Sequence, residues 1–305
     1  MTDSALRSLL AGSVDYAGLF PPAALPMAAA VRAYAEYRSG PDAWALGRFV
    51  VPASRLAELE REVEALVSKA PAEPWQLSVL LGAEATRELD ELGEFNCRHA
   101  APGAVALSGD VVEGKAGSVE AVERLLTVVP GWATAYVEVP LEPDPMPLVA
   151  AIARRGGRAK ARTGGVTPDA FPSAAALLRF LRAVTDAGVP FKLTAGLHHP
   201  LRAEYRLTYE PDSARGTMFG FLNVFLAAAF LRAGLSDADA LRLLDERAPD
   251  AFRFLPDTIA WRGHHVDRAT IAATRAQGIG GFGSCSFREP VDELEGLTEP
   301  RRTDR

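Results

Sequence analysis

Two lysines stand where apolar strands are expected. Lys160 lies in RAKARTGG (158–165) and Lys192 in PFKLTAGL (190–197). An ammonium taken out of water must be paired or neutralised, so each position calls for a reason. Only four of the 33 basic residues are Lys: Lys69, Lys115, Lys160 and Lys192. Arg stays protonated inside proteins, whereas a buried Lys can lose its proton and become a nucleophile, for example in imine formation. Structural ion pairs, or stems that reach to a solvated rim, are the other reading of the same two residues.

Short apolar runs separated by helix-like stretches must position these lysines. The runs cover 13–20, 47–52, 75–82, 103–109, 133–140, 158–165, 190–197 and 281–287. SAAALLRFLRAVTDAG, between the sixth and seventh, has apolar residues at helical spacing, Ser173 as N-cap and Gly188 as a stop. Strand and helix alternating eight times predict a parallel sheet with right-handed crossovers, and eight such units close most simply as a (β/α)8 TIM barrel. An open doubly wound sheet is disfavoured, because no G-x-G-x-x-G turn follows the first strand. The predicted organisation is one barrel domain over 1–290, with 203–278 as an elaborated seventh crossover and 291–305 as a loose charged tail. Within the insertion, MFGFLNVFLAAAFLRAG (218–234) is apolar nearly all round. It must be buried against the barrel or in a subunit contact, the latter implying a homodimer. FRFLPDTIAWRG (252–263) alternates about a Pro-Asp turn and predicts a hairpin.

In a closed barrel successive strand residues alternate between the helices and the interior. Val137 and Val139 facing out put Glu138 inside; Phe191 and Leu193 do the same for Lys192 and Thr194; Ala159 and Ala161 do so for Lys160 and Arg162. Three cations and one carboxylate then converge. Repulsion and burial are expected to lower a lysine pKa from its usual value of about 10.4 toward neutrality.

KARTGG followed by KLTAGL resembles the two-lysine signature of the deoxyribose-phosphate aldolases, class I aldolases on a (β/α)8 barrel. VDYAGLFPPA is similar to that family's first strand, RFVVPASRL to its second, LSVLLG to its third and FGSCSF to its last. The resemblance implies that Lys160 forms the Schiff base and that Lys192 activates it. It also implies that Asp15 belongs to the site, that Thr163, Gly164, Thr194, Gly196 and His198 surround the substrate, and that Gly283, Ser284 and Ser286 hold an anionic group. No cofactor is implied. The departures are equally specific. GAVALSGDV carries no acid where the family has its fourth-strand aspartate, Asp110 lying several residues beyond, so Glu138 or Asp15 would have to move protons. Ala195-Gly196 replaces Gly-Gly, and Arg162 stands where the family has Ser. The ligand is therefore expected to be a small anionic carbonyl compound other than deoxyribose 5-phosphate, with Arg162 as its bidentate partner.

The histidines offer a different chemistry, a metal-dependent hydrolase. His198-His199 and His264-His265 are adjacent pairs and His99 is the fifth. Neighbours in an extended strand point opposite ways, so each pair supplies one inward ligand, and no H-E-x-x-H spacing is present; no metal is expected. A non-enzymatic barrel whose cations hold an anion is the third alternative. A net charge of −6 argues against a nucleic-acid or membrane-surface partner, and two cysteines build no disulfide framework. With no long apolar segment and no signal-like N-terminus, a cytoplasmic location is expected.

Overall fold

A computed structural model of the chain describes residues 4–66 and 73–298; Lys69 lies outside them. Thirteen strands are found among the described residues: β1 Val14–Tyr16, β2 Leu46–Pro52, β3 Trp75–Leu80, β4 Leu107–Lys115, β5 Thr134–Glu138, β6 Arg158–Arg162, β7 Phe191–Thr194, β8 Ala203–Arg206, β9 Arg215–Met218, β10 Phe252–Phe254, β11 Thr258–Trp261, β12 His264–Asp267 and β13 Ile279–Ser284. Eight of them close into a barrel in the order β1-β13-β7-β6-β5-β4-β3-β2, every pairing parallel. Helices alternate with the strands, and the fold is a (β/α)8 TIM barrel. The outward residues Val137, Ala159, Ala161, Phe191 and Leu193 join the apolar layer between strands and helices. Phe180 of the helix Ala174–Asp186 meets Phe191 edge-on at 5.7 Å. That helix is capped as the sequence requires, Ser173 Oγ accepting from Ala176 N at 3.1 Å.

The fourth strand runs from 107 to 115, not from 103 to 109. The most apolar letters of that region, GAVAL, precede most of the strand. The strand also bulges: Gln76 is opposite Ser108, but Ser78 is opposite Val111. One extra residue shifts the side-chain alternation, so a simple period-two reading fails there. Beyond the bulge Val112 packs into the outer core and Glu113 turns into the barrel.

The seventh strand is shorter than its apolar run, because Ala195 (φ 60°) and Gly196 (φ 72°) turn the chain at its C-terminal end. A Cβ at Gly196 would lie 2.9 Å from Gly164 Cα and 3.1 Å from the Thr163 carbonyl. Gly196→Ala is therefore expected to lose roughly 1–2 kcal/mol from the left-handed backbone, with the steric contact added. A urea midpoint unchanged from wild type would show that this corner is not fixed by its glycine.

Between β7 and β13 the chain forms the β8–β9 hairpin, two helices (Phe221–Arg232 and Asp237–Leu244), the antiparallel sheet β10-β11-β12 and the helix Arg268–Gln277. Phe252 pairs with Trp261 across β10 and β11, outside the barrel. The apolar helix packs on the barrel: Phe221 stacks on Phe282 of β13 at 5.2 Å and Phe225 meets it edge-on at 5.7 Å. The chain itself covers this helix, so its burial needs no second subunit. Asn223, polar in that apolar surface, is satisfied by the carbonyls of Leu243 and Glu246 and by Arg202 N. Where a loose tail was expected from 291, the helix Arg288–Thr298 continues; residues 299–305 lie outside those described. No helix among the described residues is long and apolar enough to cross a membrane.

Candidate functional site

Parallel pairing of β6 with β7 puts Lys160 directly opposite Lys192, and pairing of β5 with β6 puts Glu138 opposite Lys160. Both lysines are buried inside the barrel, at 4% and 2% exposure. Lys192 Nζ donates to Asp15 Oδ2 and to Glu113 Oε1, each at 2.5 Å, and lies 5.4 Å from the Tyr136 ring centre. Asp15 is fixed from behind by Arg48 N, which donates to its Oδ1 at 2.8 Å. Ser78 Oγ donates to Glu113 Oε1 at 2.6 Å. The other oxygen of Glu113 lies 2.6 Å from Lys160 Nζ, and Glu138 Oε2 lies 2.8 Å from the same nitrogen. The result is a continuous buried chain, Asp15–Lys192–Glu113–Lys160–Glu138. Lys160 meets Glu138 as a close ion pair, and Glu138 Oε2 has no hydrogen-bond partner of good alignment among the described residues.

This corrects the expected charge balance. Three carboxylates meet the lysines, not one. Burial pushes the Lys192 ammonium toward neutrality, but Asp15 and Glu113 more than offset it and hold its pKa above the ordinary lysine value. A lowered pKa is thus not found at Lys192. Burial likewise pushes Glu113 up, and Lys192 with Lys160 drives it well below the usual carboxylate range. Glu138 is also lowered: burial opposes, while Lys160, then Arg162 and Lys115, favour its charge. No acid was expected at the family's place on the fourth strand, but β4 runs on to Lys115 and brings Glu113 between the two lysines.

Above this chain a cavity of about 510 Å³ opens at the C-terminal mouth of the barrel. Lys160, Lys192 and Glu113 reach its floor, and Phe20, Val50, Leu80 and Met218 supply apolar wall. Arg162, Thr194, Gly196, His198 and Gly283 also line it. Arg162 is half-exposed at the rim, its Nε 3.5 Å from Glu138 Oε1. Thr163 and Gly164 serve the scaffold instead. Thr163 Oγ1 donates to the Ala195 carbonyl at 2.5 Å, and Gly164 lets the ends of β6 and β7 approach. The Ser284 and Ser286 hydroxyls are engaged within the chain: Ser284 Oγ donates to the Ser286 carbonyl at 2.6 Å, and Ser286 Oγ accepts from Glu289 N at 3.1 Å. Asp15 and Glu138 form part of the ion chain behind the cavity wall.

His198 and His199 do not point opposite ways. They follow the β7 corner in a turn, and both line the cavity. His198 Nδ1 lies 3.0 Å from Glu289 Oε2, and His199 Nδ1 lies 2.8 Å from Glu293 Oε1. Tyr205 of β8 stacks flat on His199, ring centres 3.4 Å apart. His264 stacks on Trp261 in the outer sheet and His99 contacts the Val105 carbonyl, so the two histidine pairs do not form one site. Ligand atoms of His199, Glu289 and Glu293 lie within 4.8 Å of one another, close enough to hold a cation.

No protein-family model matches the chain, and no curated protein sequence matches it. Among solved structures it is similar to nitroalkane oxidase from Streptomyces ansochromogenes, at 14% identity and a TM-score of 0.33. The likeness covers 65% of this chain and 62% of that one, so the chain spans less than two thirds of its length. A likeness this distant decides neither fold nor chemistry; the barrel rests on the strand pairing.

Glu113, Cys285 and Glu289 of the cavity are not found by sequence reasoning. Cys285 carried a usable signal, since Gly283 and Cys285 are two residues apart and share the inward face. Glu289 enters from the helix after β13 and carried none.

Proposed function

We propose that the chain is a class I aldolase-like lyase that forms a Schiff base between Lys160 and a small anionic carbonyl compound. The observation that supports this best is Glu113, a buried acid between two lysines paired in register beneath a cavity. The resemblance to the deoxyribose-phosphate aldolases implied such an acid on the fourth strand, and Glu113 supplies one. Lys160 must be neutral to attack a carbonyl, and Glu138 and Glu113 are both within reach of its proton. Loss of water from the carbinolamine then gives the imine, whose positive nitrogen accepts the electrons released as the neighbouring C–C bond breaks. Lys192 keeps its charge throughout and offsets the acids. Arg162 at the rim is suited to the anionic end of the ligand.

Borohydride reduction in the presence of glycolaldehyde or glyoxylate, followed by peptide mapping, tests this reading. A reduced adduct is expected on Lys160, with glyoxylate trapping falling about 10-fold in Arg162→Ala while glycolaldehyde trapping is retained. The mutual pairing of the lysines favours one competitor, a non-catalytic barrel that binds an anion. Absence of an adduct with every carbonyl compound tried would support that competitor. Equal trapping of both compounds by Arg162→Ala would remove the anion site.

A further inference from the structure

The same cavity holds a second group of reactive side chains, on the wall away from Glu138. Cys285 extends from the end of β13 at 5% exposure and lines the cavity. Its Sγ lies 3.9 Å from His198 Nδ1 and 3.5 Å from the Tyr209 hydroxyl, in the loop between β8 and β9. His198 is itself held by Glu289 Oε2 at 3.0 Å and by Ser284 Oγ at 3.3 Å. The Ser284 hydroxyl hydrogen is already given to the Ser286 carbonyl, so that oxygen accepts from the imidazole. A carboxylate and a hydroxyl oxygen both accept at Nδ1, so the nitrogen that carries hydrogen is the one beside the sulfur.

We propose that Cys285 is a second nucleophile of this cavity, paired with His198, and that it adds reversibly to the carbonyl carbon of small aldehydes. In that step the sulfur–carbon bond forms and the carbon–oxygen π bond opens. The alkoxide takes the proton from His198, giving a neutral hemithioacetal; reversal returns the aldehyde. No oxidant or reductant is consumed.

The electrostatics agree with this geometry. Burial opposes the thiolate, yet His198 leads the interactions that bring the Cys285 thiol below its ordinary value, and Tyr209 adds to them. Glu289 of the helix Arg288–Thr298 faces the imidazole, and Tyr16 of β1 is a further titratable neighbour of the sulfur. Cys97, exposed on the helix Ala85–His99, is a built-in comparison within the same molecule.

The test is competitive alkylation of the native wild-type chain with iodoacetamide between pH 5.5 and 9, with both cysteines quantified by peptide mapping. At pH 6 Cys285 is expected to react at least about 10-fold faster than Cys97 despite its burial, because the thiolate is the reactive form. In His198→Asn the preference should disappear, and its return toward the pH dependence of Cys97 separates electrostatic activation from mere access. Glycolaldehyde should protect Cys285 in wild type and also in Lys160→Arg, where no imine forms on Lys160. This arm keeps the proposal distinct from the lyase reading. Slower alkylation of Cys285 than of Cys97 at pH 6, or protection that vanishes in Lys160→Arg, would overturn the proposal.

Discussion

Replacing Glu113 by Gln is expected to destabilise the barrel by roughly 3–5 kcal/mol, the cost of leaving buried charges with a partner removed. Glu113 is 3% exposed and, among the described residues, is the only carboxylate that touches both lysines. A Gln side chain keeps the shape but directs an amide NH2 at an ammonium, leaving Lys192 with Asp15 and Lys160 with Glu138. The melting temperature should fall on the order of 10 °C. The pH dependence gives a sharper check. The Glu113 pKa is depressed in the fold, so its contribution is present above the unfolded value of about 4.3 and is lost as pH falls below it. Lys192 is raised, so its contribution is full below the unfolded value of about 10.4 and is lost as pH rises beyond it. The stability gap between wild type and Glu113→Gln should therefore narrow on acidification through about pH 4. Urea midpoints at pH 7, 4.5 and 3 would show it, and a gap that stays constant would mean that the Glu113 charge is not what stabilises the network.

The lysines were legible in the sequence because an apolar strand makes a charged letter conspicuous. Alternation around Phe191, Leu193, Ala159 and Ala161 was enough to aim both of them inward. Glu113 was not legible, for two reasons. Its strand is only partly apolar, and the bulge opposite Gln76–Ser78 breaks the period on which the reading depended. Missing one acid reversed the electrostatic inference: two lysines and an arginine against one carboxylate repel, whereas the same cations facing three carboxylates are held. His198 and His199 were misread because the β7 strand ends at Thr194. The rule that neighbours point apart belongs to extended backbone, and the left-handed pair Ala195-Gly196 takes the chain out of it. Ser284 was read as an anion donor because a hydroxyl can donate, yet the Ser286 carbonyl takes its hydrogen first.

The two lysines should then separate in their kinetics once a carbonyl substrate is in hand. Lys160→Arg preserves the positive charge between Glu113 and Glu138 but cannot form an imine, so turnover should fall by more than about 10⁴-fold, the scale on which a covalent nucleophile acts. No borohydride adduct should form on that variant. Lys192→Met should behave differently. It strips the partner from Asp15 and Glu113, which costs stability, but it leaves Lys160 able to attack, so trapping at residue 160 should persist at a reduced rate. The assignment follows from how each nitrogen is held. Lys192 is bound by two aligned carboxylates and kept protonated, which suits the fixed charge proposed for it. Lys160 stands 2.8 Å from Glu138 Oε2, the proposed acceptor of its proton, and beneath the cavity proposed to admit the carbonyl. An adduct mapped to Lys192 in the wild-type protein would reverse the two roles, and the ion chain would then have to be read from its other end.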